Sequence, residues 1–182
     1  MVLLNSSSCN LDWKPNNFKF TSLQEEEGTI YDSKGPNGLL VMFICNHCPY
    51  VKSIENKISS ETKRIQKIGV ESIAFMSNDQ DLYEEDSNQN LIDQISRADF
   101  KFPYIIDNSQ EIGKSFKAQC TPEFYFFNKN LELKYRGRLD SNGKEAEMGN
   151  PELYYAIEEV ISKGYCSTQQ YPSVGCSIKW KN

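Results

Sequence analysis

Residues Gly38 to Ile44, Gly-Leu-Leu-Val-Met-Phe-Ile, form an unbroken apolar run that stops at Cys45. Such a run reads as a strand buried on both faces. Beyond Cys48-Pro49 the period changes. Val51, Ile54, Ile58, Ile65 and Ile68 recur at spacings of three, four or seven, which predicts one amphipathic helix of about five turns ending at Gly69. Pro49 suits its first turn, where a missing N–H costs nothing. Glu71 to Met76 alternates as a second strand; Leu91, Ile92, Ile95 and Phe100 predict a second helix, and Tyr104 to Ile106 a third strand. A short helix over Gln110 to Lys117 is expected next, then strands Glu123 to Phe127 and Leu131 to Tyr135 joined by Asn128-Lys129-Asn130. Leu153, Ile157, Val160 and Ile161 mark a last helix closed by Gly164, and the aperiodic segment from Tyr165 to Asn182 is expected to be an ordered tail. The order βαβα, short helix, ββα predicts an α/β fold with a central mixed β-sheet and helices on both faces.

No linker or compositional break divides the 182 residues, so one domain over residues 1–182 is expected. The net charge of -5, with basic residues scattered among acidic ones, leaves no basic stripe for a phosphate backbone and argues against nucleic acid. The first residues carry no basic n-region, and no stretch reaches the length of a membrane span, which points to a soluble cytoplasmic protein away from the membrane.

Cysteine usage changes this picture most. Two of the six cysteines stand in Cys45-Asn46-His47-Cys48, between the buried strand and the long helix. In an intracellular chain that spacing points to redox or metal chemistry. A thiolate attacks a disulfide, and a helix N-terminus stabilises a nearby anion. Cys45 is therefore expected to be the exposed, lower-pKa attacker and Cys48 the resolving thiol. His47, when protonated, would favour the thiolate further and make the disulfide more oxidising. Two plain core cysteines or half of a zinc site are the bland alternatives, but no second CxxC exists. The chain has one histidine, His47, so a His-rich metal site is excluded, as is a Ser-His-Asp triad with its histidine elsewhere. Cys120-Thr121-Pro122 immediately precedes a predicted strand; Pro122 is either a loop proline at a strand start or a cis proline with a positional role.

The segments FICNHCPYVK (Phe43 to Lys52), Thr121-Pro122-Glu123, Tyr135-Arg136-Gly137-Arg138 and PSVGCSIKWK (Pro172 to Lys181) closely resemble the redoxins of the AhpC/TSA (alkyl hydroperoxide reductase/thiol-specific antioxidant) family. The resemblance runs from about Phe18 to Lys181. It implies a thioredoxin-like fold with an N-terminal β extension and an ordered C-terminal tail. It also implies that Pro122 is cis beside the dithiol, with Thr121 offering backbone groups to a bound thiol substrate. The sequence departs from its relatives in three places. Thioredoxins carry Trp where this chain has Ile44, and a buried acid where it has Leu39. Glu123 resembles the acid that cytochrome-maturation thioredoxins place beside the cis proline and could replace that proton acceptor; a solvated strand-start Glu is the alternative. The peroxiredoxin pattern Pro-x-x-x-Thr/Ser-x-x-Cys is absent, since counting back from Cys48 gives Cys45 and Val41.

The expectation is a thiol-disulfide oxidoreductase that cycles Cys45 and Cys48 through a mixed disulfide on Cys45, with His47, Thr121, Pro122 and Glu123 around them. Its partners would be a protein or small-molecule disulfide and a dithiol reductant, and no cofactor or metal is implied. The rivals are a thiol-dependent peroxidase and a non-enzymatic module holding a metal or iron-sulfur cluster. Cys120 and Cys176 are next in interest, either as small buried hydrophobes or as neighbours of the dithiol. Cys9 and Cys166 are read as bystanders, Glu84-Glu85-Asp86 as a solvated acidic loop, and Arg136 and Arg138 as solvated strand-end charges.

Overall fold

The computed structural model describes residues 2–6 and 13–181. Cys9 lies outside them. In chain order the elements are β1 (Leu3–Asn5), β2 (Lys19–Thr21), β3 (Glu27–Thr29), β4 (Gly38–Phe43), α1 (Pro49–Lys52), α2 (Glu55–Gln66), β5 (Val70–Met76), α3 (Asn88–Ala98), β6 (Tyr104–Ile106), α4 (Glu111–Ser115), β7 (Cys120–Thr121), β8 (Glu123–Asn128), β9 (Leu133–Gly137), α5 (Glu152–Lys163) and β10 (Val174–Ser177). Among the described residues, no helix is long and apolar enough to cross a membrane.

The central sheet is mixed. β4 pairs antiparallel with β8 and β8 with β9, while β5 and β6 run parallel. The Ile44 amide donates to the Phe75 carbonyl at 3.1 Å and joins β4 to β5. All six residues of β4 are buried, as its unbroken apolar run requires. Alternate side chains point to opposite faces. Leu40, Met42 and Ile44 enter a core shared with α2, α3 and α5 through Ile58, Leu91 and Ile157. Leu39, Val41 and Phe43 enter a second core closed by Ile112 of α4, Phe116 and Ile30, with Phe18 and Phe20 packed against it. Leu39, at the position where thioredoxins keep an acid, is thus one member of the apolar cluster on this face.

One expected element is broken. The helix after Cys48 is interrupted at Ile54, whose φ of -118° and ψ of 12° leave the helical region, so α1 is a four-residue turn set before α2. The Ile54 amide still reaches the Val51 carbonyl at 3.0 Å, and this one tightened turn keeps Val51, Ile54 and Ile58 on the core side. The hairpin loop is longer than expected because Leu131 takes a positive φ of 58° and β9 starts only at Leu133.

The two ends of the chain meet beside the central sheet. β10, from the aperiodic tail, pairs antiparallel with β1 on one side and with β7 on the other. This three-stranded sheet brings Cys176 opposite Thr121.

Candidate active site

Cys45 lies two residues beyond the end of β4, and Cys48 is the N-cap of α1, with Pro49 in the first turn. Val51 and Lys52 donate their amides to the Cys48 carbonyl at 3.1 and 3.0 Å, which holds the turn that brings the two sulfurs together. Opposite them the Thr121-Pro122 peptide bond is cis. The Cys45 sulfur lies 3.3 Å from Thr121 Oγ1, and the Cys48 sulfur lies 3.2 Å from the Thr121 carbonyl oxygen. The Cys48 sulfur is also only 2.9 Å from that of Cys176. Cys45, Cys48, Thr121 and Cys176, from three parts of the sequence, make one sulfur-rich cluster.

The expected difference in exposure is not seen: both Cys45 and Cys48 have 0% relative exposure. The expected order of acidity is reversed. The Cys48 thiol is lowered to about 5, chiefly by the hydrogen bond from Cys45, with Cys176 and the Val51 amide adding to it against burial. The Cys45 thiol is pushed well up by burial, then by its hydrogen bond to Cys48 and by the negative charge of Asp86. The pair therefore carries one shared proton on the Cys45 side. The physical reason is that burial weighs most on Cys45, with a carboxylate also beside it, whereas Cys48 accepts the hydrogen bond from Cys45.

That carboxylate is the residue the sequence concealed. Asp86 is fully buried, not part of a solvated loop. Its Oδ1 accepts the Asn46 and His47 amides at 2.7 and 2.9 Å, and its Oδ2 accepts from the Asn78 side chain at 3.1 Å. His47 Nδ1 lies 2.6 Å from Oδ2, and against an acceptor-only carboxylate this nitrogen is the donor. The His47 ring stacks on Tyr83 with centroids 4.3 Å apart. A second polar layer fixes Asn46 and Cys45: Arg97 donates to Asn46 Oδ1 at 3.0 Å, and Gln94 reaches the Cys45 carbonyl at 3.3 Å. The acid run itself gave no hint which of its three members turns inward. The only local clue was that the amides following Cys45 need an acceptor once the strand ends.

Among the described residues, Cys45, His47 and Asp86 are a group that could hold a metal ion, with their ligand atoms within 4.8 Å of one another. Here both Asp86 oxygens are occupied by hydrogen-bond donors, so the carboxylate acts as an anchor for the CxxC backbone and the imidazole.

Three other expectations are corrected. Glu123 is neither solvated nor a partner of the sulfurs. It is fully buried and ion-paired to Arg136 at 2.7 Å, and it accepts the Gln119 amide at 2.9 Å. By strand alternation it shares the face of Tyr125 and Phe127, while the dithiol lies in the core on the other face. Arg136 is accordingly buried, and Arg138 makes a two-toothed pair with Glu152 at 2.7 Å on each arm. The backbone of Thr121, expected to meet a substrate, is paired with the chain's own β10. Cys120 is buried and its thiol pushed up by burial, the behaviour of a small hydrophobe. Cys166 is half-buried against the core.

A family model described as the AhpC/TSA family matches residues 14–136. A search of the curated proteins returned no match. Among solved structures, an uncharacterized conserved protein from Geobacillus kaustophilus is similar over 100% of this chain and 97% of its own, at 33% identity and a TM-score of 0.90. A hypothetical protein from Sinorhizobium meliloti 1021 is similar over 97% of this chain and 98% of its own, at 29% identity and a TM-score of 0.88. A secreted Mycobacterium tuberculosis disulfide oxidoreductase homologous to E. coli DsbE shares the fold, with a TM-score of 0.60 at 13% identity over 78% of this chain and 95% of its own. A thioredoxin-like α/β fold, a dithiol facing a cis proline and a family match over most of the chain lead to one conclusion: this chain belongs to the AhpC/TSA family, an oxidoreductase-type family with a redox function.

Proposed function

We propose that the chain, as one domain over residues 1–182, is a thiol-disulfide oxidoreductase that cycles Cys45 and Cys48 between dithiol and disulfide. The observation that carries this reading is the contact of both sulfurs with Thr121, beside the cis Pro122, at 3.3 and 3.2 Å. Cys45 attacks a substrate disulfide, forming one sulfur-sulfur bond as the substrate's own bond breaks and its far sulfur leaves as a thiolate. The proton of Cys45 passes to the Cys48 thiolate, which takes the part of the buried acid that Leu39 has replaced. Cys48 then gives this proton to the departing thiolate and attacks Cys45. The Cys45–Cys48 disulfide forms and the second substrate thiol is released, so two electrons have moved from the dithiol to the substrate. Run in reverse, the same steps oxidise a dithiol.

His47 and Asp86 position the CxxC turn and cover Cys45. Tyr50, Pro122, Phe124 and Val174 line a mostly apolar groove bordered by Arg138 and Lys144, which suits a protein or small-molecule disulfide with an apolar flank. The Cys48→Ser protein tests the reading, because it removes the resolving thiol. It should accumulate a stable mixed disulfide on Cys45 with an oxidised peptide substrate, while Cys45→Ser should not accumulate one there. Failure to trap any adduct on Cys45 would overturn the assignment of roles. Stopped-flow oxidation by hydrogen peroxide separates this reading from a peroxidase, which would react with peroxide far faster than with a disulfide.

A further inference from the structure

Among the described residues, Cys176 is the one cysteine that the dithiol chemistry leaves unused although its sulfur touches a reacting sulfur, that of Cys48. It is fully buried, and its sulfur stands 2.9 Å from that of Cys48, closer than two sulfurs sit in ordinary contact and about 0.9 Å beyond a covalent sulfur-sulfur bond. β10 is held on both edges, with Leu3 paired to Cys176 on one side and Thr121 on the other. The close approach depends on the preceding residue. A Cβ at Gly175 would collide with the Thr121 carbonyl, so only glycine lets β10 lie flat against the cis-proline strand and carry Cys176 to Cys48. The Cys176 thiol is raised to about 12, first by burial and then by its hydrogen bond to Cys48, so it rests as a proton donor toward that sulfur.

We propose that Cys176 is a third redox-active cysteine, which takes over the disulfide from Cys45 by attacking Cys48. This rests on the Cys45–Cys48 disulfide proposed above. In the step, the Cys48–Cys176 bond forms as the Cys45–Cys48 bond breaks, and the proton leaving Cys176 is taken up by the freed Cys45 thiolate. No electron enters or leaves, and no further oxidant is needed. The disulfide moves one sulfur inward, to a place covered by β1, and Cys45 becomes a free thiol again while the chain stays oxidised. The oxidised protein is then an equilibrium of two disulfides, in one of which Cys45 can still engage a substrate.

Peptide mapping tests this directly on the full chain. Trypsin places Cys45 and Cys48 in residues 35–52, and Cys166 and Cys176 in residues 164–179. The Cys166→Ser protein, otherwise wild type at these positions, and the Cys45→Ser/Cys166→Ser protein are each equilibrated with oxidised glutathione, acid-quenched, alkylated and digested. Both should yield a 35–52 peptide linked to 164–179 through Cys48 and Cys176, the first of them alongside the internal Cys45–Cys48 disulfide. In the first protein, a fraction of oxidised molecules should carry an alkylated Cys45. Absence of the linked peptide from either protein, with Cys48 and Cys176 recovered as separate thiols or separate glutathione adducts, overturns the proposal even where Cys45–Cys48 forms. Absence of Cys45–Cys48 itself would instead overturn the parent reading. Neither protein alters Cys176, so the outcome does not depend on whether a substitution in β10 folds.

Discussion

Asp86→Asn should lower the pKa of Cys45. In the native protein the Asp86 charge is among the causes that raise the Cys45 thiol, after burial and the hydrogen bond to Cys48. The Cys45 sulfur and an Asp86 oxygen lie within 4.8 Å. At that separation and an effective dielectric constant of about 20, two unit charges interact by about 3.5 kcal/mol, which corresponds to about 2.5 pKa units. The positive end of the His47 N–H offsets part of this, so the expected fall is one to two units, on the order of 2 kcal/mol. The clean comparison is Cys48→Ser against Cys48→Ser/Asp86→Asn, since the coupling to Cys48 is then absent from both. The rate of iodoacetamide labelling, located at Cys45 by peptide mass, is followed against pH, with circular dichroism at each point to show that the protein is folded. The midpoint, not the absolute rate, carries the result, because the substitution also loosens the cover over Cys45. The amide side chain would set a donor against the Asn78 side chain, so a lower melting temperature accompanies the shift. Equal midpoints, or a rise, would refute the reasoning that the buried carboxylate controls this thiol.

Four further outcomes follow from the same geometry. His47→Ala removes the partner of Asp86 at 2.6 Å and leaves its charge less compensated beside Cys45, so the reduced form is disfavoured and the reduction potential should fall by tens of millivolts; an unchanged glutathione equilibrium would mean that the ring does not act on the sulfurs. With the Cys48 thiol lowered to about 5 and Cys45 held protonated, reduction takes up one proton above pH 5 and two below it, so the potential should change by roughly 30 mV per pH unit above and about 59 mV below; a slope near 59 mV up to pH 8 would contradict the shared proton. In the reduced protein the same lowered thiol should make unfolding free energy rise with pH between 5 and the ordinary thiol range near 8.5, because there the unfolded chain binds one proton more. Reduced minus disulfide-bonded protein isolates that contribution from the carboxylates. Glu123→Gln leaves Arg136 buried without its 2.7 Å carboxylate and should cost about 3 kcal/mol in urea unfolding while leaving the redox potential unchanged; a shifted potential would return Glu123 to the active site.

The parts of this site that the sequence made legible are those written locally. Cys45 and Cys48 are separated by two residues at a strand-helix junction, and Pro122 stands next to a strand, so both could be placed from patterns of a few positions. Asp86 could not, since it lies 39 residues beyond His47, and its neighbours Glu84 and Glu85 are exposed members of the same acidic run. Glu123 was misplaced for a different reason. Its place next to Pro122 suggested proximity to the dithiol, but one step along a strand reverses the face a side chain takes, and Arg136 across the hairpin claims it. The tail was legible only by resemblance. β10 has no periodicity of its own because it is four residues long, and its partners β1 and β7 come from 169 or more and 53 or more residues away in the chain.

The central claim, reversible two-electron chemistry at Cys45 and Cys48, is tested most directly by equilibrating the full chain at pH 7 across a series of glutathione buffers, quenching with acid and mapping the thiols. The account predicts that Cys45 and Cys48 are lost and regained together as one disulfide couple, with a midpoint between about -270 and -180 mV. Recovery of Cys45 and Cys48 as thiols across the whole series, or their oxidation only to sulfinic acid without a disulfide, would contradict it.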